Sequence, residues 1–284
     1  MHNIEQIRKI SIWIFIIPVL VINAGLLISI NAPLLQWTIF QVDAIGVSGF
    51  TIPYLDGGTS ISRSNRTYPQ YLLFKPGMIV TSILLIKYWI ANNRLILEKT
   101  GVLDNKKFLI FGVGSAVFLI IHSIFLGINF EVDLYKFFRR FVLLGFIIFE
   151  IIAQTLLVVS IFKIKDKIKF FINTKILYLK IILVTLLIVV ALMAAPFLNS
   201  SEYTHLKHAL EWNYFVGVVT FYLLTFFFWK KKPSFHTSED AWKKVFETLF
   251  KYYLRLCRGN CLVLLLPDFC PISLNFSVFP YLAS

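Results

Sequence analysis

Six apolar blocks, each about one bilayer thickness long, alternate with polar connectors along this chain. That rhythm excludes an ordinary soluble fold. A soluble helix is apolar along one stripe, whereas these blocks are apolar all round for roughly 20 residues. The chain is 58% apolar and 15% charged, with a mean hydropathy of +0.76 over 284 residues. Water cannot solvate that much apolar surface, so lipid must cover it. The expected fold class is all-α: a polytopic transmembrane six-helix bundle with a C-terminal amphipathic helix. The spans are expected at 10–30, 71–91, 108–128, 141–162, 176–198 and 213–229.

The first block follows Arg8 and Lys9, as a signal peptide would. Its apolar run continues to Ile30, which is the length of a full span, so an uncleaved anchor is expected. Pro18 lies inside it. Proline is tolerated in membrane helices when neighbours satisfy the freed carbonyl.

The connectors differ in basic residues. Arg8 and Lys9 precede span one. Arg94, Lys99, Lys106 and Lys107 follow span two. Lys163, Lys165, Lys167, Lys169 and Lys175 follow span four, and Lys230, Lys231 and Lys232 follow span six. The other connectors are poorer for their length, with Arg63 and Arg66, then Lys136, Arg139 and Arg140, then Lys207. The positive-inside rule therefore places both ends of the six-span unit in the cytoplasm. The net charge of +13 is read as topology, and no nucleic-acid partner is expected. Localisation is then an integral, multi-pass protein of the plasma membrane or an endomembrane. Trp13, Trp89, Tyr178, Trp212 and Trp229 lie near span ends, as an aromatic belt would.

Residues 1–232 form the expected transmembrane domain, and 233–284 a different kind of segment. Ser238 is a plausible N-cap, with Glu239 and Asp240 in the first turn. Trp242, Val245, Phe246, Leu249, Phe250, Tyr253 and Leu256 recur at helical spacing, flanked by Lys243, Lys244, Lys251 and Arg255. This pattern predicts an amphipathic helix on the cytoplasmic membrane surface, or one packed on the protein's own loops. It also offers a site for a cytoplasmic protein partner. Beyond Gly259 the chain is apolar but interrupted by Pro267, Asp268, Pro271 and Pro280, which argues against a seventh span. Cys257, Cys261 and Cys270 show no zinc-finger spacing.

Ionisable groups inside spans are costly, so each is a functional candidate. Glu150 lies near the middle of span four, with Gln154 one turn further on the same face, and His122 lies in the outer part of span three. These three intramembrane polar residues serve either as interhelical hydrogen bonds or as a proton relay or headgroup contact. At the outer end of span six, Glu202, His205, His208 and Glu211 recur every three residues. No H-E-x-x-H motif accompanies them, so no metal is assigned, and a hydrogen-bonded pair of His208 and Glu211 is expected. No cofactor is expected either.

The first external connector carries Asp56-Gly57-Gly58-Thr59, then Arg63 and Arg66. Consecutive glycines permit a tight turn, and arginine suits bidentate phosphate contact. Lys75, just before Pro76-Gly77, can snorkel outwards from span two. No nucleotide-binding phosphate loop and no serine hydrolase motif is present, so catalysis is neither assigned nor excluded. Asn65-Arg66-Thr67 and Asn199-Ser200-Ser201 are glycosylation sequons on the predicted outer side.

Two stretches together resemble the Frag1/DRAM/Sfk1 family of six-span membrane proteins. The first is Pro53-Tyr54-Leu55-Asp56-Gly57-Gly58, leading into the polar loop before span two. The second is His208-Ala209-Leu210-Glu211-Trp212 with the later run Phe221-Tyr222-Leu223-Leu224-Thr225-Phe226. The resemblance covers roughly residues 10–230. The family's Ile-Ser-Asp triplet reads Tyr54-Leu55-Asp56 here, and Trp229 and lysines replace the acid after its final helix. It implies links to membrane lipids: remodelling of lipid anchors, lipid asymmetry, or regulation of autophagy at lysosomes.

The resulting expectation is an outer-leaflet polar site of Asp56, Arg63, Arg66, Lys75, His208 and Glu211 that binds or regulates lipid headgroups. The outer ends of spans one, two and six are expected to converge, so that these acids and bases offset one another. The rival readings are a proton-coupled small-solute transporter centred on Glu150 and His122, a membrane acyltransferase or hydrolase using His208 or Glu211, and a scaffold acting through the tail.

Overall fold

The computed structural model describes residues 2–31, 51–100, 106–128, 133–194 and 202–230. The predicted tail helix, the three cysteines and the Asn199 sequon lie outside the described residues. Eight α-helices follow in chain order: α1 (His2–Ile30), α2 (Ile61–Ser64), α3 (Gln70–Thr100), α4 (Lys107–Phe125), α5 (Asp133–Lys163), α6 (Lys165–Ile168), α7 (Thr174–Ala194) and α8 (Thr204–Phe228). Six of them, α1, α3, α4, α5, α7 and α8, are long and apolar enough to cross a membrane. Among the described residues the only β pairing is a single bridge between Ile172 and Trp229. The protein is therefore all-α, with the composition of an integral multi-pass membrane protein.

Several helices outrun their apolar cores. α1 begins at His2 rather than at residue 10, α3 continues to Thr100, and α8 begins at Thr204, nine residues before the expected start at 213. Helical hydrogen bonding continues past the bilayer because nothing in 2–9 or 204–212 breaks it. The span ends are set instead by local chemistry. At the end of α4, Leu126 turns extended and Gly127 takes φ +83°, a left-handed conformation that glycine adopts without steric cost.

The six spans close a ring in chain order: α1 on α3, α3 on α4, α4 on α5, α5 on α7, α7 on α8, and α8 back on α1. The bundle has two distinct ends. One end carries residues 51–69, the α4–α5 turn and the start of α8; it is called the loop end below. At the opposite end Asn3 Nδ2 donates to Glu98 Oε2 at 2.9 Å, the Arg8 guanidinium sits 4.9 Å over the Phe226 ring, and Lys230 N donates to Phe171 O at 2.9 Å.

Large rings fill the space inside the ring of helices. Tyr88, Trp89, Phe108, Trp212, Phe221, Tyr222 and Phe228 are all fully buried. Tyr88 stacks edge-on against both Trp89 and Tyr222, with centroids 5.1 and 5.0 Å apart. Small residues admit them: a Cβ on Gly112 would lie 2.3 Å from the Trp89 indole. This corrects the aromatic-belt reading. Trp13 and Tyr178 do face outwards, but Trp89, Trp212 and Trp229 are core residues. An indole near a helix end can serve either surface, and linear position does not say which way it turns. Leu20, Ile110, Ile182 and Leu192 lie on the exposed, lipid-facing side.

Candidate functional site

The loop end is built around residues 51–58. Two backbone bonds, Leu55 N and Asp56 N to Ile52 O, curl the chain. Asp56 then closes it. Its Oδ1 accepts from Thr51 Oγ1 at 2.7 Å and from Gly58 N at 2.8 Å, and its Oδ2 accepts from Ile52 N at 2.8 Å. Partial desolvation pushes the Asp56 carboxyl up. The hydrogen bonds from Gly58, Thr51 and Ile52, with His205 nearby, outweigh that, so it sits below the usual carboxylate value.

The closed turn presents its carbonyls to α8. His205 Nδ1 lies 3.2 Å from Asp56 O, and His208 Nδ1 lies 3.0 Å from Gly57 O. A carbonyl only accepts, so both imidazoles donate from Nδ1. Trp212 Nε1 donates to Thr59 O at 2.9 Å and Asn213 Nδ2 to Tyr54 O at 2.8 Å. Tyr54 packs edge-on against Trp212, centroids 4.9 Å apart, and its hydroxyl reaches across to Asn23 Oδ1 of α1 at 2.9 Å. Gly57, at φ +62°, is where loop and helix come closest: a Cβ there would lie 1.8 Å from His205 O.

The neighbouring one-turn helix α2 is capped twice. Ser60 Oγ accepts from Arg63 N at 3.1 Å. The Glu211 carboxylate accepts the backbone N–H groups of Ile61 and Ser62. Asn65 is fully buried, and its Nδ2 donates to Ile61 O at 2.9 Å and to Ser64 Oγ at 3.0 Å. The Asn65 sequon is therefore part of the packing, and its amide nitrogen is not presented for glycosylation.

Of the three helix ends expected to converge, those of spans one and six are bridged by the loop, which touches α1 through Asn23 and Asn65, and α8 through His205 to Asn213. Its expected electrostatic cause is not. His208 and Glu211 do not pair with each other; each turns to loop backbone. Lys9 pairs with Glu5 on α1, whereas among the described residues none of Asp56, His208 and Glu211 forms an ion pair with Arg63, Arg66 or Lys75. Asp56, His208 and Glu211 therefore hold the loop, because backbone donors and acceptors lay nearer than any cation. Arg63 is exposed, Lys75 lies 5.2 Å over the Tyr71 ring, and Arg66 Nη2 reaches only Ser62 Oγ, at 3.5 Å. The six predicted residues thus divide into three that bond the loop backbone and three whose basic side chains do not.

A second polar group lies in mid-bundle. Glu150 is buried, and its carboxylate is met by Ser115 Oγ of α4 at 2.6 Å, by Gln154 Nε2 at 2.9 Å and by the Tyr222 hydroxyl of α8. Glu150 and Gln154 share a face as expected, and there they bond to each other. Gln154 also donates to Val218 O at 3.4 Å. One turn along α8, Thr225 Oγ1 accepts from Lys180 Nζ at 2.8 Å and lies 3.1 Å from the Tyr88 hydroxyl. Lys180 is fully buried, 3.8 Å over the Phe221 ring and 5.4 Å from that of Phe228. The sequence reading misses Lys180. The signal was available: a lysine four residues inside an apolar run that is long enough to span.

His122 is buried on α4, within electrostatic range of Arg139 on α5 and apart from the Glu150 group. No family model, curated protein or solved structure matches the chain.

Proposed function

We propose that this integral membrane protein binds or regulates membrane lipids through the loop end of its bundle, with that end facing the outer leaflet. One observation carries the reading: a loop docked by hydrogen bonds on α1 and α8 holds Arg63 and Arg66 at one end of the bundle, where α3 begins with Lys75, and among the described residues no carboxylate is paired to any of the three. Ordering a loop costs backbone entropy of about 1–2 kcal/mol per residue. Unpaired cations at a membrane interface suit the phosphates of lipid headgroups. Kinship with the Frag1/DRAM/Sfk1 family belongs to the same proposal, because Tyr54 to Gly58 of the first stretch that carries the resemblance meets His208 and Trp212 of the second here.

The Glu150 group supports a packing role better than a transport role. Two of its donors come from other spans, Ser115 of α4 and Tyr222 of α8, so the group ties α5 to both. Reconstitution in liposomes separates the readings. A photoactivatable phospholipid should crosslink within 60–75, and Glu150→Gln should leave proton flux unchanged. Crosslinks confined to other segments, or a flux lost in Glu150→Gln, would refute the lipid reading. A cysteine placed at the exposed Arg63 should label from outside the vesicle and one at the exposed Lys163 or Lys167 should not; the reverse pattern would move the site to the other leaflet.

A further inference from the structure

The connector between α5 and α7 is a built element. After Lys163 the chain forms α6, then a single 3-10 turn over Lys169–Phe171, and enters α7 at Thr174. α6 packs on α3 as well as on α5. The connector then docks on the end of α8: Ile172 bridges Trp229, Asn173 N donates to Phe228 O at 2.8 Å, and Lys230 N donates to Phe171 O at 2.9 Å. Asn173 Oδ1 caps α7 by accepting from Lys175 N at 3.1 Å. The backbone around residue 170 is therefore held from both sides.

That held backbone turns one large ring outwards. Ile168 and Ile172, two positions to either side, are 2% and 1% exposed, whereas Phe170 is 88% exposed. A phenyl ring stays in water only at a cost proportional to its apolar area. Around it the segment is basic: residues 163–175 carry Lys163, Lys165, Lys167, Lys169 and Lys175 against Asp166. All of these lysines but Lys165 are exposed. Lys165 Nζ lies 4.3 Å over the ring of Phe162, which packs edge-on against Tyr178 with centroids 6.5 Å apart. Phe162 and Tyr178 both face outwards, near the ends of α5 and α7. Rings and lysines at one level form an interfacial anchor, with apolar bodies at the acyl boundary and ammonium groups among phosphates. Topology alone accounts for lysines in such a connector. It does not account for a phenyl ring held out among them.

We propose that the α5–α7 connector is a binding surface for anionic lipid headgroups, with Phe170 entering the interface and Lys163, Lys167 and Lys169 gathering acidic lipids around it. An acidic bilayer surface fits better than an acidic protein, because ten residues, 164–173, join two spans and keep the connector at the membrane boundary. There the ring and the lysines each find a partner at the same depth. The surface lies at the end of the bundle opposite the loop end and stands independently of the lipid reading above.

The test places the photocrosslinker p-benzoylphenylalanine at Phe170 in the full chain. The protein is reconstituted in vesicles of equal parts dioleoyl phosphatidylglycerol and dioleoyl phosphatidylcholine, and crosslinked species are identified by mass spectrometry. The same substitution at Leu20, on the lipid-facing side of α1, gives the ratio for unselective contact. Position 170 should capture lipid and favour phosphatidylglycerol about 5-fold relative to position 20, the factor expected when acidic headgroups gain roughly one lysine's attraction. Lys167→Gln combined with Lys169→Gln should bring that preference below about 2-fold. Salt at about 1 M should do the same with the lysines intact, since the screening length falls to about 3 Å. The salt arm reads the lysines even if the paired variant does not fold.

Capture of lipid at position 20 but none at position 170 overturns the proposal, as do crosslinks from 170 confined to the protein itself. Equal ratios at 170 and 20 remove the acidic-lipid preference and overturn it too. A preference that survives both the lysine changes and high salt would show that the lysines are not its cause, with the same consequence. None of these results bears on the loop end, whose crosslinks fall within 60–75.

Discussion

Gly57→Ala tests the architecture of the loop end most directly. The residue sits at φ +62°, and an added Cβ would lie 1.8 Å from His205 O and 2.6 Å from His205 C. Both are backbone atoms of a helix, so no side-chain rotation relieves the clash, and the loop must lift from α8. Left-handed backbone costs a non-glycine residue roughly 1–2 kcal/mol. Lifting also weakens the bonds from His205 and His208 to Asp56 O and Gly57 O, at about 0.5–1.5 kcal/mol each. The sum is about 3 kcal/mol against the docked loop, or roughly 100-fold in its opening equilibrium. Arg63 is exposed on this loop, so tryptic cleavage there reports opening when reclosing outpaces cleavage. In detergent, cleavage after Arg63 should accelerate about 100-fold in Gly57→Ala, while Leu20→Ala on the lipid-facing side should match the parent protein. A Gly57→Ala rate within about threefold of the parent would show that the loop is not held against α8 in this way.

Glu150→Leu should destabilise the bundle by about 2–5 kcal/mol, because it strands the donors of Ser115, Gln154 and Tyr222; Glu150→Gln should cost at most about 1 kcal/mol. Chemical unfolding of both in mixed micelles checks the order, and equal losses would remove the clasp. Thr225→Val should be comparably harmful, since it leaves the buried Lys180 Nζ without its hydroxyl acceptor, and Lys180→Met in the same background should recover part of the loss. No recovery in that pair would show that Lys180 is not the reason Thr225 matters. Asp56 makes loop docking acid-sensitive. Its folded carboxyl lies below the unfolded value, so the unfolded loop binds the proton first; the stabilisation is complete at neutral pH and is lost as the pH falls below about 4. Tryptic sampling after brief acid exposure should therefore show more opening in the parent protein and little further change in Asp56→Asn.

The Asp56-Gly57-Gly58 turn shows how much of the site could be read in advance. Its tightness follows from residue type alone, since Gly57 needs positive φ and Asp56 closes a turn on its own backbone. Its partner does not follow. The His208–Glu211 spacing suggests a mutual hydrogen bond, yet both side chains spend their capacity on loop backbone. Local spacing identifies groups that can meet, and it carries no information about a competing acceptor some 150 positions away in the chain.

The sequence by itself determined the class and the number of spans, because burial in lipid is a property of composition over roughly 20 residues and needs no tertiary partner. It also determined the faces shared within one helix, such as Glu150 with Gln154, because helical periodicity is local. Only the tertiary structure decided which way each residue turns: Trp89, Trp212 and Trp229 inwards rather than to the interface, Lys180 onto Thr225 rather than out to headgroups, Asn65 into the packing. In lipid, an apolar helix has no preferred face from hydrophobicity alone. Rotation is chosen by ring packing, close backbone approach and hydrogen bonds between helices, and those exist only once the ring has closed.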